Sequence, residues 1–539
     1  MPSQGIQGVE IVFLLLLLFV VVFGALARKL ATPYPIILVI GGLLLSFVPG
    51  IPRINLNPDW VFFVILPPLL YSAAWLTSWR EFSYNLVSIF FLAFGLVFFT
   101  ILGVSEFGQW FLPGFDWRIG LVLGAIVAPT DAIAATSIAK RLQLPRRTVD
   151  ILEGESLLND ASALLALEFG LGLLVSGHVP TFGEGALRLG YLIVVGIGIG
   201  LVVGEIVHRI EHHIDDGPIE IALSILTPYV AYLVADSVRA SGVLAVVACG
   251  LYLSRKSSHF FSPTVRLQAW AVWESLTFIL NGLVFVIIGL QLPYVMAAIQ
   301  VHHLHTLIFL GLSFTGLLIL LRLIWMFPGA WFANFVRRRL LHQPERFPEA
   351  RNIFIVGWTG MRGVVSLAAA IALPETIANG APFTQRNSII FLAFSVILVT
   401  LVLQGLTLPP LIRALGVGGA TSDLHSEEVG ARRSILQAAL DHLEKLRSNA
   451  GTETAEVYDD LSHHYRRRLA TLSKEGDANQ GAADIAFYKR FNDLSRQLIE
   501  IERKTAVGLR NQRLISDELL RDIEHELDLG EARLIAKSQ

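Results

Sequence analysis

The chain has 539 residues, 54% of them apolar and 16% charged, with 42 Lys+Arg against 44 Asp+Glu and a formal net charge of −2. Near-neutral charge argues against a nucleic-acid binder, and a single cysteine, Cys249, excludes a disulfide framework within the chain or a multi-cysteine metal site. Charge is unevenly spread: residues 421–539 hold 40 of the 86 charged side chains, the contrast expected when a membrane domain, residues 1–415, is joined to a water-soluble tail, residues 416–539.

The first apolar run, Ile11 to Ala27, ends at Arg28-Lys29 with no charged segment before it and no clean small-residue cleavage site after it. It is expected to be a retained transmembrane helix. A bilayer core about 30 Å thick needs about 20 apolar residues. That ruler gives thirteen spans, at roughly 11–30, 34–50, 59–75, 85–104, 118–139, 148–176, 186–207, 219–238, 241–254, 271–291, 304–333, 353–373 and 388–413. The ninth is short, so twelve is the alternative. With thirteen, sixteen Lys and Arg fall in the loops of one side and five in those of the other. Short cytoplasmic loops collect these residues, so the N-terminus is expected outside and the tail in the cytoplasm. Losing one span would destroy the bias.

An ionisable side chain at bilayer depth is costly and usually lines an ion or proton path. The fifth span is interrupted at Ala128-Pro129-Thr130-Asp131-Ala132. Proline removes a backbone donor, frees carbonyls and the Thr130 hydroxyl to coordinate, and leaves Asp131 to face exposed helix N-termini. The sixth span holds Leu152 to Ser162, dense in oxygen ligands. At about 100° per residue Ser156, Asn159 and Asp160 share a face suited to a dehydrated alkali cation, whereas Glu155 lies about 140° from Asp160 and needs another partner. Glu153 belongs near the cytoplasmic mouth, as a solvated carboxylate or a cation attractor. Glu168, two turns past Asp160, and Arg322 in the eleventh span are candidates to pair within the bundle.

The twelfth span contains Gly357-Trp358-Thr359-Gly360-Met361-Arg362-Gly363, where three glycines weaken the helix. Arg362 keeps its charge and must be paired; an ion pair with Glu155 is expected. Spans five and twelve are seven apart and so run in opposite directions. Thirteen spans divide as six, one connector and six, the inverted repeat with two broken, crossing helices of a secondary transporter.

In the seventh span, His208-Arg209-Ile210-Glu211-His212 has an inverted zinc-peptidase spacing. With His213, Asp215 and Asp216 behind it, it is expected to be ordinary loop polarity. His302, His303 and His305 are read as a solvated outer loop. No Gly-rich phosphate cradle appears, against an ATP-driven pump, and no cofactor is expected. Beyond the Gly-rich hinge from Gly416 to Ala420, the tail shows helical stripes such as Leu436, Leu440 and Leu443, and Leu520, Ile523 and Leu527, with a loop from Gly476 to Ala483.

Three motifs together, Gly154-Glu155-Ser156-Leu157-Leu158-Asn159-Asp160, the Gly357 to Ala368 string and Leu66-Pro67-Pro68-Leu69-Leu70, resemble those of the monovalent cation:proton antiporters of the bacterial and eukaryotic sodium/hydrogen exchanger group. The resemblance covers residues 10 to 415. It implies that Asp160 binds cation and proton by turns, with Ser156, Asn159 and Thr130 around it, that Asp131 sits where the broken helices cross, and that Glu155 pairs with Arg362. It also implies a homodimer. Two departures are present. In many members an acidic residue follows the Leu-Pro-Pro motif, where this chain has Ser72, and the family's Thr-Asp-Pro reads Thr130-Asp131-Ala132, with the proline at 129. If Asp160 is the one carrier, one H⁺ exchanges for one Na⁺, K⁺ or Li⁺ and the cycle is electroneutral. A gated cation channel and an intramembrane metal-dependent hydrolase are the alternatives.

Overall fold

The structure is a computed structural model that describes residues 3–30, 32–48, 58–112, 114–176, 181–214, 216–260, 263–297, 304–342, 347–377, 381–417, 421–448, 455–472, 478–512, 514 and 517–536. The described residues form helices apart from turns and one isolated bridge, Thr376 to Pro382. Two compact units divide after Gly419. His302, His303 and Asp215 lie outside the described residues.

The first unit runs α1 (Ser3–Lys29), α2 (Tyr34–Leu45), α3 (Pro58–Leu76), α4 (Trp79–Phe111), α5a (Trp117–Val127), α5b (Ala132–Arg141), α6 (Arg146–Ser176), α7 (Phe182–Glu211), α8 (Gly217–Ser237), α9 (Gly242–Phe260), α10 (Pro263–Leu290), α11 (Leu304–Arg339), α12a (Ala350–Trp358), α12b (Val364–Ile371) and α13 (Arg386–Leu415). Among the described residues nine of these are long and apolar enough to cross a membrane: α3, α4, α5 as a whole, α6, α7, α8, α10, α11 and α13. The chain is thus an all-helical, multi-pass membrane protein. Of the nine, α5 is the most enclosed by protein and α7 the least.

Close helix approach is made with glycine, since without an apolar driving force in lipid the contact must come from packing. Gly196 of α7 faces Ser241, just before α9, and Gly200 and Gly204 face Ala245 and Tyr252 of α9; a Cβ on Gly200 would overlap the Ala245 carbonyl oxygen. Gly42 of α2 and Gly289 of α10 meet Val286 and Val39 in the same way. Cys249 of α9 is fully buried. Helices α3, α4 and α13 each contain a widened π-helical turn, at Val61–Ile65, Phe91–Leu96 and Thr400–Gln404. The first precedes Pro67 and Pro68, whose missing N–H groups cannot continue a regular ladder. The second frees the carbonyls of Phe91, which accepts from Trp325 Nε1 at 3.1 Å, and Ala93, which accepts from Ser162 Oγ at 2.5 Å.

The second unit comprises α14 (Thr421–Ser448), α15 (Ala455–Leu472), α16 (Ala478–Asn511) and α17 (Asp517–Ala536). Leu436 and Leu440 of the expected stripe are buried. Arg447 pairs with Asp459 at 2.8 Å and Arg466 with Glu444 at 3.0 Å between α14 and α15, and Arg503 reaches Asp528 at 2.6 Å from α16 to α17. The loop expected from Gly476 to Ala483 is helical from Ala478 onward.

Gly200→Val is expected to destabilise the purified protein by about 1–3 kcal/mol through overpacking, lowering its thermal midpoint. Gly198→Val, two residues away where a Cβ meets open space, should leave the midpoint unchanged. Equal melting of the two variants would contradict the α7–α9 contact.

Candidate functional site

Helix α5 stops at Val127 and restarts at Ala132; α12 stops at Trp358 and restarts at Val364. Each interruption leaves carbonyls at one half-helix end and N–H groups at the other, and the two interruptions lie against each other, with Asp131 N donating to Met361 O at 2.8 Å. The remaining groups are answered by side chains of matching sign. Arg362 donates through Nε to Val127 O at the end of α5a, at 2.8 Å, and also to Gly360 O. Arg322 of α11 donates to Val356 O and Gly357 O at the end of α12a, both at 3.1 Å. At the start of α5b, Asp131 Oδ1 accepts from Ile133 N at 2.8 Å and Ser156 Oγ from Ala132 N at 3.3 Å. Positive side chains sit at the negative ends of the helix dipoles and a carboxylate at the positive end.

Gly363 leaves room for that carboxylate, since a Cβ there would lie 2.5 Å from Asp131 Oδ2. Asp131 thus stands beside the N-termini of both α5b and α12b. Thr400, in the π turn of α13, accepts from Arg362 N at 3.2 Å. Sequence reasoning missed Thr400 and gave Ser162 no role within its oxygen-rich stretch; a lone threonine in an apolar span gives no signal until the neighbouring chain break is in place.

Glu155 pairs with Arg322 and not with Arg362. Two hydrogen bonds join them, Nη1 to Oε1 at 2.5 Å and Nη2 to Oε2 at 2.9 Å, and both side chains are buried. Arg362 is within electrostatic reach of Glu155 but spends its donors on backbone carbonyls. The suggested Glu168–Arg322 pair is likewise replaced: Glu168 meets Arg188 at 2.8 Å. Thr130 Oγ1 donates to Glu155 Oε1 at 3.0 Å and accepts from Asn159 Nδ2 at 2.8 Å. Asn159, Thr130, Glu155 and Arg322 therefore form one chain of hydrogen bonds.

A cavity of about 580 Å³ reaches this crossing. Asp160, Asp131, Ser156 and Thr130 line it, with Ser72 of α3 and Ser366 of α12b; Asn159, Glu155 and Arg362 do not. Asn159 is turned instead toward Thr130, with its Oδ1 buried and unbonded. Among the described residues no donor hydrogen-bonds the Asp160 carboxylate, which is 8% exposed. An acceptor group this enclosed, with hydroxyls beside it, can hold a proton or a dehydrated cation. The cavity extends to Lys140 and Glu153, which pair at 2.8 Å, so the Glu153 carboxylate is neutralised by a lysine.

The histidine-containing stretch is helical only as far as Glu211, and His212 and His213 form the turn that follows. His208 and Glu211 end α7, and Glu211 is buried at 3% exposure; the polar pattern hid a helix terminus that packs inward.

A family model described as the transmembrane sodium/hydrogen exchanger matches residues 14–414. The chain is 35% identical over 542 residues to an uncharacterized Na⁺/H⁺ exchanger of Mycobacterium tuberculosis, covering 99% of this chain and 97% of that one. It is 33% identical to a sodium, potassium, lithium and rubidium/H⁺ antiporter of Bacillus pumilus, covering 82% of this chain and 66% of that protein. The solved sodium proton antiporter of Methanocaldococcus jannaschii at pH 8 shares the fold, with a TM-score of 0.60 at 20% identity over 77% of this chain and 99% of that one.

Removing one partner of a buried ion pair costs about 3–5 kcal/mol. Arg322→Met is therefore expected to reduce the yield and thermal stability of folded protein sharply, and Glu155→Gln combined with it should recover a large part. Arg362→Met should show no such rescue by Glu155→Gln. The opposite pattern of rescue would restore the Glu155–Arg362 pairing.

Proposed function

The chain belongs to the sodium/hydrogen exchanger family, and we propose that it exchanges Na⁺, or another monovalent cation such as K⁺ or Li⁺, for H⁺ by competition of the two for Asp160. It is a transporter and not an enzyme, which removes the hydrolase alternative. The observation that carries the reading is the 580 Å³ cavity that brings one unbonded carboxylate, at the crossing of two broken helices, within reach of the α5–α6 end of the bundle.

In this mechanism Asp160 is the carrier and Ser156 Oγ and Thr130 supply neutral oxygens. Asn159 is a positioning residue that orients Thr130, a change from its expected place among the ligands. Asp131 stays bound to the α5b terminus and supplies fixed negative charge. Taken out of bulk water, a carboxylate gains from holding either a proton or a cation and has room for one at a time. Release of one therefore accompanies uptake of the other. With a single titrating carrier, the cycle moves no net charge. The two Arg-capped interruptions support a rigid-body movement of the bundle that contains them.

Thirteen crossings, an inverted repeat, an outside N-terminus and a cytoplasmic tail belong to the same proposal. The shared cavity of Arg28, Arg141 and Arg413, at the ends of α1, α5b and α13, supports the count, since even numbers of crossings must separate them. The bond from Gln385 to Gly114 O at 2.7 Å likewise supports a common end for the starts of α13 and α5. Family membership supports a homodimer.

The test is exchange in proteoliposomes challenged with Na⁺, K⁺ and Li⁺ and followed with a pH dye. Asp160→Asn is expected to abolish exchange; undiminished exchange would end the proposal. Competition predicts that the apparent KM for the cation rises as pH falls on the cation side, with the maximal rate unchanged. Electroneutrality predicts rates independent of an imposed membrane potential. A saturable flux driven by either gradient distinguishes exchange from a channel.

A further inference from the structure

A second cavity, of about 490 Å³, lies beside the first and shares Glu274 and Thr277 of α10 with it. Its charged lining is Arg28, Arg141, Arg413 and Glu274. The three arginines come from the last turns of α1, α5b and α13, so separate parts of the sequence converge on one space. Apolar side chains, among them Leu142, Phe278 and Pro409, complete the wall. Among the residues that line the cavity, guanidinium groups outnumber carboxylates three to one, and the helix C-termini offset a part of that charge. Arginine forks match phosphate oxygens in geometry as well as charge, and apolar walls next to them suit an acyl chain.

We propose that this cavity binds the phosphate headgroup of an anionic membrane lipid and that its occupancy sets the affinity of the neighbouring vestibule for cations. The coupling is electrostatic. When the cavity is vacant, the arginines raise the potential at the wall shared through Glu274, and cations are depleted at the mouth that leads to Asp160. A bound phosphate cancels that field and lets Glu274 and the vestibule carboxylates attract them. The occupant also bridges α1 and α10 to α5b and α13.

Binding rests on the cavity alone, whereas the effect on exchange rests on the antiport reading, and the two are measured separately. The full-length protein in detergent is heated with phosphatidylglycerol, with phosphatidylcholine or with inorganic phosphate. Phosphatidylglycerol is expected to raise the thermal midpoint. The triple variant Arg28→Gln, Arg141→Gln, Arg413→Gln should lose that shift, while Arg255→Gln, an exposed basic residue elsewhere, should keep it. The single variant Arg413→Lys, which retains the charge, guards against loss of fold and should keep part of the shift. An equal shift from inorganic phosphate would overturn the lipid as occupant in favour of a soluble anion. No shift, or an unaltered shift in the triple variant, would overturn the site.

In vesicles of phosphatidylcholine, adding phosphatidylglycerol should lower the apparent KM for Na⁺ about threefold at constant maximal rate. The triple variant should show the lower KM already in phosphatidylcholine and respond less. Identical responses of wild type and triple variant would reduce the effect to bulk surface potential and overturn the coupling. Loss of exchange in both, with the thermal shift intact, would count against the antiport reading and not against the lipid site.

Discussion

A broken helix inside a membrane must find partners for its backbone within the protein, because lipid offers none. That constraint governs the centre of this molecule. Two interruptions are placed against each other, and two arginines and one aspartate answer the exposed ends. Arg322 acts twice, closing α12a through two carbonyls and neutralising Glu155. Glu155 in turn orients Thr130, and Thr130 is held from the other side by Asn159. Apart from Asn159 Oδ1, which is buried without a partner, these groups satisfy one another, so the network is costly to interrupt.

Beside that framework, the Asp160 carboxylate accepts no hydrogen bond among the described residues. Its neighbours spend their donors elsewhere: Ser162 on Ala93 and Asn159 carbonyls, Asn159 on Thr130, Arg362 on the helix ends. A carboxylate left without protein donors in a water-accessible cavity is where a mobile ion or proton gains most. On the proposed reading, exchange at Asp160 breaks none of these hydrogen bonds.

The helix breaks were legible in the sequence because their causes are local. Pro129 and the three glycines from Gly357 to Gly363 act on their own backbone, and the face shared by Ser156 and Asp160 follows from helix geometry alone. The partner of Glu155 was not legible. Two arginines, Arg322 and Arg362, were available, and the choice depends on the rotation and depth of three helices, the true partners being 167 positions apart in sequence. Helical phase likewise put Asn159 on the face of Asp160, yet within that face its amide turns aside to Thr130. Phase fixes direction to within a wide sector; hydrogen-bond competition settles the rest. In the tail, Ala478 to Ala483 joined a helix despite its glycine and polar neighbours, since propensity is a weak prior against the packing of a long amphipathic segment.

The burial of Cys249 has a practical side. The chain's one thiol is sealed within α9, so a cysteine introduced at any solvent-facing position becomes the sole reactive sulfur in the molecule. The natural protein is thereby suited to spin labels, fluorophores and alkylation footprinting without prior removal of native residues. Distances across the two Arg-capped breaks can be followed in an otherwise unaltered background.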